Sequence, residues 1–240
     1  EKLRTFLRAL GSAKAPPQII AHSNGGLLAY SLLNEDPTLA HSVIYAGSPF
    51  KGNFSFLGDL HRGKSNLLNK KHLSATVQAS FPNVYNLLPL LPEEHSSSFA
   101  RTDDGTNINL DFSSAQTFKQ LRLIFPNYNA DEFPKVEKHI QSCLDDAVRF
   151  KGEDTVEGFV NSPSRPFDDL AFDTVPGDSR FGVQICLPPP GCSCGKVVMT
   201  TKRHDKLLDD GAVIAGLLKE MREEKAGGGV DVAGVAIGGV

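Results

Sequence analysis

The sequence predicts an α/β fold: a mostly parallel sheet with flanking helices, interrupted by a cap or lid insertion. Three observations lead there. The opening stretch alternates helix, strand, tight turn, helix and strand, and strands separated by helices pair in parallel. The run Gln18-Ile-Ile-Ala21 passes through His22-Ser23-Asn24-Gly25-Gly26 into an apolar-periodic helix. That is the strand–turn–helix setting in which a serine hydroxyl stands clear of a sheet. The alternation lapses near residue 52 and returns with the strand Val197-Val-Met-Thr200 and a final helix.

Each element has a local reason. Residues 1–14 place Leu3, Phe6, Leu7 and Leu10 at helical spacing, with Gly11 as a stop. Pro16 and Pro17 punctuate before the strand at Gln18. A second helix is expected from Gly25 to Asn34, ending near Pro37, and a buried strand over residues 42–47. Residues 52–135 are rich in Ser, Asn, Pro and Phe and hold two apolar runs, Val84 to Pro92 and Phe112 to Phe125. They suggest an insertion of short helices that either packs on the sheet or receives an apolar acyl group. Residues 135–151 form a helix with Val136, Ile140, Cys143, Leu144, Ala147, Val148 and Phe150 on one broad face. Residues 152–176 hold no convincing strand, although a doubly wound sheet wants one there. A last helix spans about Asp209 to Lys225. The tail, 226–240, is Gly, Val and Ala with Asp231 and no amphipathic period; it is expected to be disordered. The expected domain is therefore 1–225, with 52–135 inserted in it.

Composition narrows the function. With 240 residues, 40% apolar content and a net charge of −3, the chain is an ordinary globular sequence. It carries no basic run, so nucleic acid is excluded as a principal partner. No apolar stretch is long enough for a transmembrane helix. No signal peptide is visible, and a start at Glu1 suggests a mature chain or a fragment. Of the four cysteines, Cys186, Cys192 and Cys194 cluster around a Pro-Gly turn. They are either loop thiols or a disulfide from Cys186 to one of the other two. A metal knuckle would need a second cluster, so neither metal nor cofactor is implied. Asn53-Phe-Ser55 is a glycosylation sequon that leans toward a secretory route.

The chemistry centres on Ser23. A nucleophile at so sharp a turn needs small neighbours two positions to either side, here Ala21 and Gly25. The Asn24 N–H falls at the positive end of the following helix, where an oxyanion would be stabilised. A serine hydroxyl needs a base, and the base an orienting acid. In the order serine, acid, histidine, the base is His204. His22 lies inside the turn, His41, His61, His72 and His95 come too early, and His139 is mid-helix. The favoured acid is Asp178, in Gly177-Asp-Ser-Arg-Phe181, 26 residues before His204 (204 − 178). Glu153 or Asp154 is the rival. Asp168, Asp169 and Asp173 are taken as solvated loop charges.

The succession of motifs resembles the lecithin:cholesterol acyltransferase-like branch of the α/β hydrolases. It runs through Ala21-His-Ser-Asn-Gly-Gly26, Tyr45-Ala-Gly-Ser-Pro-Phe-Lys-Gly52 and Tyr85-Asn-Leu-Leu-Pro89. It continues through Pro176-Gly-Asp-Ser-Arg-Phe181, Leu187-Pro-Pro-Pro-Gly191 and His204-Asp-Lys-Leu-Leu-Asp209. Order and rough spacing agree from about residue 1 to 222. The resemblance implies ester hydrolysis or acyl transfer on a lipid through Ser23, Asp178 and His204, with Asn24 N–H in the oxyanion hole. It also implies contact with a lipid surface and a secretory or lysosomal-type compartment. Ser179 and Phe181 depart from the family's glycine and valine after the acid. The family also carries a front half that supplies the first strands and a second oxyanion donor, where this chain has one helix. The chain thus looks like the C-terminal part of such a domain: a fragment, a chain completed by a partner, or a non-catalytic relative. A carboxylesterase or thioesterase for small acyl groups is the other enzymatic reading.

Overall fold

A computed structural model describes residues 1–13, 16–64, 73–89, 100–101, 106–108, 110–151, 186–187, 197–223 and 231–238. In chain order, helix α1 (Lys2–Ala13), strand β1 (Gln18–His22), helix α2 (Asn24–Glu35) and strand β2 (Ser42–Ala46) come first. Short helices α3 (Ser55–Arg62), α4 (Ala75–Ala79) and α5 (Pro82–Tyr85) follow, then the small strands β3 (Ala100–Arg101) and β4 (Asn107–Ile108). Helices α6 (Ala115–Gln120) and α7 (Phe133–Lys151) precede strand β5 (Val197–Thr200), helix α8 (Gly211–Glu223) and strand β6 (Asp231–Gly238). The chain divides into two units, Glu1–Phe50 with Val175–Val240, and Lys51–Thr174.

The first unit is built on a four-stranded sheet in the order β1-β2-β6-β5. Every pairing is parallel. This is a small α/β sheet. Every residue of β2 is buried, as a strand covered on both faces must be. Its side chains alternate between those faces. Ile44 and Ala46 join Leu217 and Met221 of α8, with Val198 and Val213 packed against them. Tyr45 meets Phe50 edge-on at 5.0 Å, and Phe50 meets Tyr30 of α2 at 5.4 Å. Helix α1 buries Leu7 and leaves Leu3, Phe6 and Leu10 exposed. Arg4 pairs with Glu35, and Arg8 with Asp36 at 3.0 Å, which ties α1 to the far end of α2. The helix runs through Gly11, the expected stop, to Ala13.

The C-terminal tail corrects the sequence reading. Residues 231–238, expected to be disordered, form β6, paired with β2 on one edge and β5 on the other. Amphipathic alternation marks strands with one wet face, but a strand inside a parallel sheet reads as a continuous run of small and β-branched residues. Asp-Val-Ala-Gly-Val-Ala-Ile-Gly fits that description. A doubly wound sheet wants a further strand between the second strand and the last, and β6 takes the place between β2 and β5.

In the second unit, β3 and β4 pair antiparallel. Leu57, Leu60, Tyr85, Leu88, Phe118, Leu123, Ile124 and Ile140 are its largest fully buried side chains. The face of α7 is narrower than its sequence suggests. Ile140, Cys143, Leu144 and Ala147 are buried, whereas Val148 is exposed. The unit extends past the expected boundary at 135 because α7 packs against α5 and α6. Among the described residues no helix is long and apolar enough to cross a membrane.

Candidate active site

Strand β1 delivers Ser23 and β5 delivers the loop that carries His204. Both follow the C-terminal ends of parallel strands, so both emerge on one edge of the sheet. The ladder between β1 and β2 continues one residue beyond the strand, with Ser23 N–H donating to the Ala46 carbonyl at 2.9 Å. The chain then turns sharply. Ser23 has φ 55° and ψ −129°, a conformation that costs a side-chain-bearing residue energy and that clusters at functional sites. Gly26 N–H closes the first turn of α2 onto the Ser23 carbonyl at 2.9 Å. The Asn24 N–H is the first of the helix and has no acceptor within it.

Gly26 explains how α2 can start so close to β2. A Cβ there would lie 1.7 Å from Ser48 Oγ and 2.4 Å from Ser48 Cβ. Gly25, which the turn was expected to keep small, meets nothing within 4 Å among the described residues. The close approach needs the second glycine of the pair rather than the first. Ala21 is 5% exposed and fits its expected role as a small buried neighbour. Ser48 is fully buried, and its Oγ has no hydrogen-bond partner among the described residues. The side-chain oxygen of Asn24 is likewise buried and unpartnered there.

Across from Ser23, the ring of His204 places Nε2 2.9 Å from Ser23 Oγ. The two residues are 181 positions apart in sequence. Three local features fix the histidine. It opens a short 3₁₀ turn, His204–Asp209, in which Leu207 is completely buried as an anchor. Thr200, at the end of β5, donates its hydroxyl to Asp210 Oδ2 at 2.5 Å and accepts from Lys202 N–H at 3.1 Å. Asp210 in turn caps α8 through Val213 N–H. The Thr200 hydroxyl, followed by that backbone N–H, holds the Asp210 carboxyl below the usual carboxylate range. The clasp closes the base of the loop that presents His204. Finally, His22 Nε2 lies 2.9 Å from the His204 carbonyl, and the two rings stand 4.8 Å apart.

Asp178, Glu153 and Asp154, the candidate acids, lie outside the described residues, as do Cys192 and Cys194. Cys186 is buried. The Cys143 thiol is pushed up by burial and by the nearby Asp146, which makes it a poor nucleophile at neutral pH. Among the described residues no cluster of His, Cys, Asp or Glu could hold a metal ion. Sequence reasoning missed Gly26, the Thr200–Asp210 clasp and His22. The clasp has a signature in retrospect: threonine at a strand end and aspartate immediately before a helix, the N-cap position.

No family model matches this sequence. No curated protein matches it either. Among solved structures, the crystal structure of a Tle4–Tli4 complex aligns with a TM-score of 0.39 at 16% identity. The alignment covers 63% of this chain and 36% of that one, so this chain spans about a third of the length of its neighbour.

Proposed function

We propose that the chain carries a serine-dependent acyl-transfer centre of the α/β-hydrolase kind, acting on a lipid or another acyl ester. The observation that carries this reading is the 2.9 Å approach of His204 Nε2 to Ser23 Oγ at a strained strand–helix turn. In the proposed cycle His204 Nε2 takes the hydroxyl proton as Ser23 Oγ attacks the acyl carbonyl. The carbonyl oxygen becomes an oxyanion facing the Asn24 N–H at the start of α2. The intermediate collapses to an acyl-serine, and the imidazolium returns its proton to the departing alkoxide. Water or a second alcohol then repeats the sequence, giving hydrolysis or transfer. Asp178 is assigned as the acid that orients His204.

The substrate class rests on the motif succession of the lecithin:cholesterol acyltransferase-like resemblance. The test is labelling with a fluorophosphonate probe and mapping of the modified peptide. Label is expected on Ser23 and is expected to disappear in Ser23→Ala and His204→Ala. A folded chain that takes no label would overturn the reading. A p-nitrophenyl ester series from acetate to palmitate then decides the class: a rate that rises with acyl length supports lipid, and a preference for acetate supports a small-substrate esterase.

A further inference from the structure

Ser23 is preceded by a residue that the proposed cycle leaves unused. His22 is the last residue of β1, and its side chain reaches the same loop that Ser23 addresses. The acceptor of its contact is a backbone carbonyl, which has no proton to give. His22 Nε2 must therefore carry the hydrogen, either as the Nε2–H tautomer or as imidazolium. His204 needs the opposite arrangement. To accept from Ser23 Oγ, its Nε2 must be bare and its Nδ1 protonated. Two adjacent residues of one strand end thus grip one histidine at two points. Ser23 engages the ring at 2.9 Å and His22 the backbone carbonyl at 2.9 Å.

We propose that His22 is a positioning residue, which sets the Ser23–His204 distance by anchoring the His204 carbonyl to the end of the strand that carries the nucleophile. This deepens the proposed function and rests on it for its catalytic consequence. The His204 backbone belongs to a loop, and a loop allowed to drift relative to β1 would carry the ring away from Ser23 Oγ. The tilted ring contact at 4.8 Å and 33° adds a packed surface beside the base. The hydrogen bond is the directional part, and the ring contact alone leaves the height of the loop free.

Two variants separate these parts in the full chain. His22→Phe keeps a ring and loses the donor. His22→Gln loses the ring and keeps an amide N–H donor. Fluorophosphonate labelling of Ser23 is expected to slow by about tenfold to a hundredfold in His22→Phe, the size of effect that follows a misplacement on the order of 1 Å. In His22→Gln it is expected to stay within about threefold, with matched unfolding midpoints. Equal loss in both variants, or no loss in His22→Phe, would overturn the proposal. An activity-independent measurement stands beside it: long-range ¹H–¹⁵N correlation of the histidine rings. His22 is expected as the Nε2–H form, with the His204 ring signals shifting in His22→Phe and not in His22→Gln. A bare Nε2 on His22 refutes the anchor. If the anchor appears in the spectra of a chain whose Ser23 takes no probe, the positioning stands and the acyl-transfer reading falls.

Discussion

Strain at Ser23 makes an unusual prediction: one inactivating substitution should stabilise the protein relative to another. With φ 55° and ψ −129°, Ser23 occupies a region that glycine enters freely. Holding a residue with a Cβ there costs about 1–3 kcal/mol. Ser23→Ala keeps the Cβ and the strain, whereas Ser23→Gly releases it. Against that, glycine has more freedom to lose on folding, about 0.5–1 kcal/mol. The contact with His204 Nε2 is lost in both variants and cancels. The balance puts Ser23→Gly above Ser23→Ala by about 1 kcal/mol, the excess of released strain over added entropy. For a chain of this size that is about 2–4 °C in the unfolding midpoint. Paired thermal and urea melts on the two variants, both confirmed unlabelled by the fluorophosphonate, supply the test. A glycine variant equal to or weaker than the alanine variant would refute the claim that the turn stores strain at Ser23.

Other predictions follow from the neighbours. Gly26→Ala should destabilise by about 1–3 kcal/mol, since its methyl group meets both Oγ and Cβ of Ser48 and the start of α2 must shift. Gly25→Ala should be neutral or slightly stabilising, and urea midpoints on the matched pair decide. Thr200→Val should return the Asp210 carboxyl upward toward the ordinary aspartate range. Because the folded-state value is depressed, Asp210 contributes stability above the unfolded carboxylate range and loses it as pH falls through the folded value. The variant should therefore have a smaller contribution to lose, exhausted at a higher pH than in the unsubstituted chain, which ¹³C carboxyl titration and acid melts would follow. Asp210→Ala should lower the unfolding midpoint through the lost cap of α8 and should slow labelling of Ser23 as the loop loosens.

Local chemistry was legible in the sequence; long-range placement was not. The strand into Ser23, helix α2, strand β2 and strand β5 follow from short apolar runs between turn signals, and β5 matches its expected bounds of residues 197–200. Ser23 and His204 emerge as a pair from the order of residue types because, of the six histidines after that turn, His204 is the late one that directly follows a strand. The Gly26–Ser48 approach was not legible, because it depends on how closely a helix start passes a neighbouring strand end. Nor was the contact of His22 with the His204 carbonyl, since a histidine beside that serine reads as turn context until the partner carbonyl is in view. The tail was misread for a different reason. Periodicity analysis looks for apolar–polar alternation, and β6, an interior strand of a parallel sheet, is a run of small and β-branched residues without it.

That last strand bears directly on the candidate site. Ser23 follows β1 and the His204 loop follows β5, yet the two strands are separated by three steps, β1 to β2, β2 to β6 and β6 to β5. At about 4.8 Å per step the strands stand roughly 14 Å apart. His204, four positions past Thr200, nevertheless lies beside Ser23, with the Thr200–Asp210 clasp at the base of its loop. Among the described residues β5 pairs with β6 alone, so its place in the sheet is set by residues 231–238. Ending the chain at residue 230 leaves β5 either unpaired or moved one step inward against β2, about 5 Å closer to β1. Neither arrangement keeps the 2.9 Å approach, because the loop is fitted to the wider gap. The truncated chain should lose Ser23 labelling. A synthetic peptide of residues 229–240, added during refolding, should restore it in a saturable, concentration-dependent way. Full labelling of the truncated chain without peptide would mean that the loop holds His204 in place independently of the sheet, and the argument from strand order would fail.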